Sequence, residues 1–237
     1  MHKNKNVHSK RILTSDLIIV GGGTAGLMAA ILLKRKSPDT DVLVLEKAHA
    51  KRSGCLAMGL NAVNLYLSDN DVEAYVDYVQ QDMAGVVRRD LLRSVGQKAN
   101  RYISLLEEIG IPFPRNNNGE FIRRSPRSIV MHGEQIKPLM YEAAMKTGIG
   151  IENHTNVVRL IRNGAGRVIG TAGYHIHTGR PVSCFGRSVL LATGGASGIY
   201  RPSNPGTARK KTWYCPYNAG SGMAMGFRAG AEMTSFE

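Results

Sequence analysis

A glycine-rich turn near the start of the chain has the residue types and spacing that bind a dinucleotide. The run Gly21-Gly22-Gly23-Thr24-Ala25-Gly26 matches a pattern in which the first glycine permits a tight turn. The second lets backbone N–H groups approach a pyrophosphate, and the third allows close packing of a helix on a strand. Glu46 follows Gly26 by twenty residues. At that distance a carboxylate hydrogen-bonds the ribose of an adenosine dinucleotide and repels the 2′-phosphate of NADP. The candidate cofactor-binding residues are therefore Gly21, Gly23, Thr24, Ala25, Gly26 and Glu46.

The elements that must position this turn are a strand, a helix and a second strand. An apolar run at residues 17–20 precedes the glycines, a helical run extends to about Lys36, and residues 41–45 form a second apolar run. These predict a βαβ unit with the phosphates at the positive N-terminal end of the helix. A glycine run alone also fits an ordinary turn, but the strands, the helix and the acid together favour the dinucleotide.

The bulk composition predicts an ordinary globular protein. The 237 residues are 43% hydrophobic, enough for a sizeable core. No apolar run reaches the ~18 residues of a membrane span, and no signal-peptide stretch precedes Leu17, so we expect a cytoplasmic location and no membrane span. Residues 1–15 are expected to be a flexible basic tail, and residues 16–237 the folded domain.

Neither the cysteines nor the basic residues indicate a metal cluster or a nucleic-acid interface. Cys55, Cys184 and Cys215 are scattered, which argues against a disulfide framework, and three thiolates cannot supply the four ligands of an iron–sulfur cluster. The net charge is +13. Because the basic residues are dispersed and lack interleaved aromatic residues, we expect a small anionic ligand or an acidic partner in preference to nucleic acid.

Three helices are predicted in the middle of the chain. Asp71 is placed to cap the first, and apolar residues at helical spacing predict a second over residues 91–106 and a third over residues 134–146. Residues 47–64 are expected to form a loop over the cofactor. The dipeptide Asn118-Gly119 predicts a tight hairpin.

From residue 149 the sequence alternates and predicts strands. A short strand at 149–152 precedes an antiparallel meander at residues 157–162, 168–175 and 181–185, and a separate strand follows at 188–192. His175 and His177 share one face of the meander and are interpreted as solvent-facing, because further metal ligands cannot be located. The predicted fold class is α/β, a Rossmann-like domain of parallel sheet and flanking helices with an inserted antiparallel β-meander.

Short motifs in order along the chain resemble one family. They are Arg52-Ser53-Gly54, Ala57-Met58-Gly59-Leu60-Asn61-Ala62-Val63-Asn64, Asn70-Asp71, His132-Gly133-Glu134, Tyr200-Arg201-Pro202, Trp213-Tyr214, Asn218-Ala219-Gly220-Ser221 and Gly230-Ala231-Glu232-Met233-Thr234. The family is that of the flavoprotein subunits of fumarate reductase and succinate dehydrogenase, and the adenylylsulfate reductase alpha subunit is its most similar branch. The resemblance covers nearly the whole chain after Asp16 and implies an FAD-binding domain.

The resemblance implies FAD as the cofactor. It is expected to be non-covalent, because the flavin-linked histidine of succinate dehydrogenases has no counterpart at residues 53–55. Residues implied to contact FAD, beyond the glycine turn and Glu46, are Lys47, Ser53, Gly54, Ala57, Gly59, Leu60, Asn61, Val157, Ala192, Thr193, Gly194, Asn218 and Ser221. Asn64 is implied to lie beside the reactive flavin nitrogen. Trp213, the only tryptophan, is implied to lie between the flavin and an iron–sulfur cluster of a ferredoxin-like partner subunit; alternatively it is a core aromatic residue.

The implied activity is that of an FAD-dependent oxidoreductase, which interconverts adenylylsulfate with sulfite and AMP and exchanges two electrons with the iron–sulfur subunit. Two differences from the adenylylsulfate reductase pattern leave a different substrate possible. Met58 replaces a family glutamine, and Gly222-Met223-Ala224-Met225 is more similar to fumarate reductases, so a dicarboxylate is the alternative. The catalytic arginine and histidine, the capping domain and further flavin contacts would follow Glu237. The chain is therefore expected to be the N-terminal portion of a longer flavoprotein. A third interpretation, beside the two oxidoreductases, is an FAD-binding fragment that is catalytically incomplete.

Overall fold

The computed structural model describes residues 9–67, 71–199 and 215–234. The chain divides into two compact units. The first comprises residues 1–58 and 140–231, and the second comprises residues 59–139 and 232–237. Each unit contains its own β-sheet.

The described residues form nine strands and six α-helices. The strands are β1 (Arg11–Val20), β2 (Val42–Leu45), β3 (Ala62–Val63), β4 (Arg123–Ser125), β5 (Ser128–Val130), β6 (Gly150–Glu152), β7 (Thr155–Arg162), β8 (Val168–His175) and β9 (Pro181–Leu191). The helices are α1 (Thr24–Lys36), α2 (Val72–Asp82), α3 (Arg89–Gly96), α4 (Ala99–Glu108), α5 (Ile136–Lys146) and α6 (Ser221–Arg228). Short 3-10 turns occur at Cys55–Met58, Gly133–Gln135 and Ser197–Ile199.

The first unit is built on a six-stranded sheet of order β6-β2-β1-β9-β8-β7. Its first four strands are parallel neighbours, whereas β8 pairs antiparallel with both β9 and β7. The β1–α1–β2 segment is the predicted βαβ unit. The mixed sheet confirms the predicted α/β class, with a parallel part and an antiparallel meander.

Strand β9 corrects the prediction of two separate strands at 181–185 and 188–192. It is one strand of eleven residues that pairs antiparallel with β8 and parallel with β1. Gly186 lies between the two predicted strands. In the structure a Cβ atom on Gly186 would lie 2.6 Å from the carbonyl oxygen of Ser15, so this glycine permits a close strand contact. Residues 11–15, expected in the basic tail, are part of β1 in this pairing.

The core of the first unit lies along the parallel strands. All four residues of β2 are buried, as is usual for a parallel strand covered on both faces. Ile18 and Ile19 of β1 are fully buried, and α1 contributes Leu27 and Ile31 to the buried set. The carboxyl ends of β1 and β2 are thereby fixed, and these ends carry the glycine turn and Glu46.

The second unit contains the three-stranded antiparallel sheet β3-β5-β4 and the helices α2, α3 and α4. The prediction of one helix over residues 91–106 was wrong, because α3 ends at Gly96 and α4 begins at Ala99. A Cβ atom on Gly96 would lie 3.1 Å from Val72, which shows close packing of α3 on α2. Asp71 precedes α2 as predicted, but its carboxylate accepts a hydrogen bond from Arg127 and does not cap the helix.

Candidate dinucleotide site

Gly21 and Gly26 bring β1, α1 and the segment after β9 into close contact. Gly21 has a φ of +108°, a region that favours glycine. A Cβ atom on Gly21 would overlap the carbonyl oxygen of Ala192, and a Cβ atom on Gly26 would overlap the carbonyl oxygen of Gly21. Both positions therefore require glycine, for the turn and for helix–strand packing.

The N-terminus of α1 has the features of a phosphate site. The helix begins after Gly23 without a side-chain cap, and the N–H groups of a first helical turn have no acceptor within the helix. A Cβ atom on Gly23 would meet no atom within 4 Å, so the space above it is open. The hydroxyl oxygen of Thr24 is buried and has no hydrogen-bond partner among the described residues. An orphaned hydroxyl beside N–H donors fits a phosphate oxygen.

Ser53 has the same feature in the segment predicted to follow the flavin. Its hydroxyl oxygen is buried and has no hydrogen-bond partner in the described part of the chain. A Cβ atom on Gly54 would lie 3.5 Å from the Cα atom of Gly23, so this segment lies beside the glycine turn. The N–H of Ala57 donates to the carbonyl of Gly54 at the start of the 3-10 turn. The structure thus brings Ser53, Gly54 and Ala57 together with the phosphate site.

Glu46 directly follows β2, and its carboxylate accepts hydrogen bonds that hold the glycine turn. The residue is 7% exposed, and its two oxygens accept hydrogen bonds from the N–H groups of Gly22 and Ala48, each at 2.7 Å. Each carboxylate oxygen has a second lone pair, which suits a ribose hydroxyl. The sequence did not predict a second role for Glu46. Its carboxylate bridges the glycine turn, at Gly22, and the loop after β2, at Ala48.

The segment after β9 packs between the glycine turn and α6. The N–H of Ala192 donates to the carbonyl of Val20, which extends the β1–β9 pairing. Gly222 in α6 lies against the side chain of Thr193, where a Cβ atom would overlap the hydroxyl. Gly194 has a φ of +75°. These contacts place residues 192–194 and the N-terminus of α6, where Ser221 lies, beside the glycine turn.

Asn218 and Lys47 connect the chain before α6 to the loop after β2. The Asn218 amide donates to Sγ of Cys55 at 3.6 Å. The ammonium group of Lys47 donates to the carbonyl of Tyr217 at 2.8 Å. Val157, at the start of β7, is buried in the core cluster, so its backbone alone is available to a ligand.

The remaining predicted flavin residues belong to the second unit. Gly59 has a φ of +87°, and the carbonyl of Leu60 accepts a hydrogen bond from the N–H of Gly133. The side-chain oxygen of Asn61 accepts a hydrogen bond from Arg124. Asn64 accepts a hydrogen bond from the hydroxyl of Ser128 at 3.4 Å.

These contacts fix the residues along β3, which pairs with β5. Trp213 lies outside the described residues, as do Asn70 and the motifs at 200–202 and 213–214.

Histidine contacts beside Glu46 were missed by sequence reasoning. His154 lies next to His49, His175 and His177. Burial lowers the pKa of His154, the three neighbouring imidazoles lower it further, and Glu46 acts weakly in the opposite direction. The sequence indicated only that His175 and His177 share one face of a strand. Their contacts with His154, and its contact with His49, could not be predicted, because His49 and His154 lie far away along the chain.

Comparison with known proteins supports the dinucleotide interpretation. The model of a family described as "FAD binding domain" matches residues 16–237. The alpha subunit of adenylylsulfate reductase from Megalodesulfovibrio gigas is 33% identical over 94% of this chain, and the flavoprotein subunit of 8-methylmenaquinol:fumarate reductase from Wolinella succinogenes is 28% identical over the same share. The adenylylsulfate reductase structure from Archaeoglobus fulgidus matches 94% of the chain with a TM-score of 0.83 and 32% identity.

The chain spans 38% and 37% of the lengths of the two curated relatives, and 37% of the matched Archaeoglobus chain. None of the helices in the described part of the chain has the length and hydropathy needed to span a membrane. The orphaned hydroxyls of Thr24 and Ser53, the open space over Gly23 and the carboxylate of Glu46 fit the phosphates and ribose of FAD. The cofactor is FAD, and the chain belongs to the FAD binding domain family.

Proposed function

We propose that this chain is the FAD-binding part of an FAD-dependent oxidoreductase of the adenylylsulfate reductase type. The supporting observation is its identity of 33% with an adenylylsulfate reductase alpha subunit, compared with 26–28% for fumarate reductase flavoproteins over the same share of the chain. The proposed reaction interconverts adenylylsulfate with sulfite and AMP. The net charge of +13 suits these anionic substrates.

The chain's own residues would bind and orient the cofactor. FAD, when bound, takes up and releases two electrons. The N-terminus of α1 and the hydroxyl of Thr24 would bind the pyrophosphate, and Glu46 would accept hydrogen bonds from the ribose. Ser53 would donate its orphaned hydroxyl to the flavin part of the cofactor. Asn64 would place its side-chain amide beside the reactive nitrogen.

Electron exchange requires a second subunit in this proposal. We therefore place the clusters in a ferredoxin-like partner, with Trp213 on the path between the partner and the flavin. A cytoplasmic location is part of the same proposal.

Reduction of an unsaturated dicarboxylate is the second candidate. It is supported by the identity of 28% with a fumarate reductase flavoprotein subunit. The segment Gly222-Met223-Ala224-Met225, which lies within α6, is also more similar to fumarate reductases. The two activities differ in substrate chemistry. One uses a sulfur oxyanion and a nucleotide, and the other uses a carbon–carbon double bond.

Both candidates can be tested on the full-length holoprotein. With the adenylylsulfate reductase activity, sulfite lowers the visible flavin absorbance, and sulfite with AMP supports reduction of ferricyanide. Fumarate-dependent reoxidation of the reduced flavin, without a response to sulfite, would support the dicarboxylate activity instead. A yellow holoprotein that responds to neither compound would contradict both.

The orphaned hydroxyl of Thr24 gives a prediction that separates binding from stability. Replacing Thr24 by valine removes no hydrogen bond within the described residues, so the free energy of unfolding of the apoprotein should change by less than about 0.5 kcal/mol. The affinity for FAD should fall by about tenfold, because a hydrogen bond to a phosphate is lost. Urea unfolding and FAD titration calorimetry measure the two quantities.

Thr147 provides the matched control. Its hydroxyl donates to the carbonyl of Ala144 at 2.6 Å, so Thr147→Val should lower the free energy of unfolding by about 1 kcal/mol and leave FAD affinity unchanged. Equal FAD affinities for wild type and Thr24→Val would contradict the pyrophosphate assignment.

Non-covalent attachment is a separate prediction. No histidine lies at residues 53–55. Precipitation of the holoprotein with trichloroacetic acid should therefore release all of the flavin into the supernatant, where its absorbance is measured. Yellow colour that stays with the precipitate, or a peptide carrying the flavin mass, would show a covalent bond.

A further inference from the structure

Four histidines from three segments of the chain form a cluster in the first unit. His49 follows β2, His154 lies in the turn between β6 and β7, and His175 and His177 lie at and just after the end of β8. The ring centroid of His154 is 4.4 Å from that of His177 and 6.1 Å from those of His49 and His175. No group of metal-ligating side chains in the described part of the chain could hold an ion, so protonation is the chemistry that this histidine cluster offers.

We propose that the histidine cluster makes FAD binding depend on pH, so that the affinity for FAD falls as the pH falls from about 7.5 to about 5.5. Histidine is the side chain that ordinarily gains a proton in this interval. Protonation of neighbouring imidazoles places positive charges 4.4–6.1 Å apart. These distances are shorter than the Debye length of about 8 Å at physiological ionic strength, so salt screens the repulsion only in part. The charged rings therefore push apart the segments that carry them.

The segments that separate are those that hold Glu46. The carbonyl of Ala48 accepts a hydrogen bond from the N–H of His154 at 2.8 Å, and the N–H of Ala48 donates to the carboxylate of Glu46 at 2.7 Å. The N–H of Thr155 donates to the carbonyl of Glu46 at 2.8 Å. The carbonyl of His154 accepts from the N–H of Ile176 at 2.7 Å, which attaches the end of β8 to the same place. Displacement of His154 thus disturbs the carboxylate that binds the ribose of FAD.

Other charged groups around the cluster do little to offset this repulsion. Glu46 raises the pKa of His154, but its effect is the weakest among the described groups that act on it. On the α5 side, Tyr141 contributes an aromatic ring, with its centroid 5.8 Å from that of His49. Several charged side chains close to the cluster along the chain are paired with other groups. The pairs are Lys47 with the carbonyl of Tyr217, Lys51 with Glu142, Glu152 with Arg11, and Arg180 with the carbonyl of Ser9.

The direction of the effect follows from proton uptake by His154. Burial is the largest cause that holds the pKa of His154 below 6.5, its ordinary value, and the three neighbouring imidazoles lower the pKa further. Well above pH 6.5 the imidazole is neutral in the folded and the unfolded chain, and the cluster costs no stability. As the pH falls below this value, the unfolded chain binds the proton more readily, so the folded state loses stability.

The same linkage applies to the cofactor. Bound FAD holds Glu46 and the segments beside it in place, which keeps the imidazoles close together. The holoprotein therefore takes up fewer protons than the apoprotein, whose segments can separate. A ligand that favours the less protonated state binds more weakly as the pH falls.

The test is calorimetric titration of the full-length apoprotein with FAD at about pH 7.5 and about pH 5.5, at constant ionic strength. We expect the Kd of the wild type to rise by about tenfold or more between the two conditions. His154→Asn should reduce the rise to less than about threefold, because it removes the central imidazole. Asparagine tolerates the φ of +57° at this position and so preserves the fold. His177→Gln removes the nearest imidazole and should give an intermediate rise.

NMR titration of the histidine ring protons gives a second readout. The pKa of His154 should move towards its ordinary value in His177→Gln, because a positive neighbour is removed. A purely structural role of His177 would leave that pKa unchanged. An unchanged pKa of His154 in this variant would therefore contradict the proposed repulsion.

His132→Gln provides the control, because His132 belongs to the second unit and is not part of the cluster. It should retain the full rise in Kd. Any pH dependence of FAD itself is common to all variants and cancels in the comparison. Equal Kd values at both pH values in the wild type, or a full rise retained in His154→Asn, would overturn the proposal. The experiment measures FAD affinity alone, so its result does not depend on which substrate the enzyme uses.

Discussion

Replacing Gly26 by alanine is expected to lower the free energy of unfolding by about 3 kcal/mol or more, with loss of FAD binding. The added Cβ atom would overlap the carbonyl oxygen of Gly21 and lie 3.2 Å from the side chain of Ile19. Overpacking against flexible side chains costs about 1–3 kcal/mol. Here the obstacle is backbone, so α1 must move away from β1. Urea unfolding and the flavin content after purification measure the effect.

Gly164 offers a matched glycine in the β7–β8 turn. A Cβ atom on Gly164 would meet no atom within 4 Å, and its φ is not in the left-handed region. Gly164→Ala should therefore change the free energy of unfolding by less than about 0.5 kcal/mol and leave the flavin content unchanged. A Gly26→Ala protein as stable as Gly164→Ala would show that α1 does not pack on the turn as described.

Replacing Glu46 by alanine should have an effect of similar size. The change leaves the N–H groups of Gly22 and Ala48 without their acceptor. Hydrogen bonds to charged groups contribute about 1.5–3 kcal/mol each, so the apoprotein should lose about 3–6 kcal/mol of unfolding free energy. FAD affinity should fall by about 100-fold, because the turn loosens and the ribose acceptor is lost. Glutamine at this position accepts only one of the two bonds and should give an intermediate result.

Glu152 is the control carboxylate for this experiment. It pairs with Leu45 of β2 in the sheet, and its side chain forms a partly exposed ion pair with Arg11 at 2.6 Å. Such pairs contribute about 1 kcal/mol or less, so Glu152→Gln should have a small effect on stability and none on FAD affinity. If Glu46→Ala and Glu152→Gln had equal effects, Glu46 would have no special role.

The glycine turn and Glu46 were predictable because local sequence determines them. The strand, the turn and the helix are contiguous. Gly26 is required by its contact with the carbonyl of Gly21, five residues earlier, and Gly21 by its φ in the turn. The hydrogen bonds of Glu46 to Gly22 and Ala48 were not predictable. They depend on the parallel pairing of β1 with β2, which brings residues 22 and 46 together.

Strand β9 and the α3–α4 boundary show where local patterns fail. Gly186 lies in the predicted gap between two strands, but its place in one continuous strand depends on its contact with Ser15, far away in the chain. Likewise the apolar stripe over residues 91–106 continues through the end of α3, and packing of Gly96 on Val72 is visible only in three dimensions. The histidine cluster was missed for the same reason.

The pairing of β1 with β9 has a consequence for synthesis of the protein. Its partners extend from Arg11 with Val182 to Val20 with Leu191, about 170 residues apart in the chain. While the ribosome translates the intervening residues, β1 has only β2 as a neighbour and its other edge is open. Contacts between such distant segments form slowly, and open edges favour aggregation. The nascent chain is therefore expected to depend on chaperones until residue 191 has left the exit tunnel.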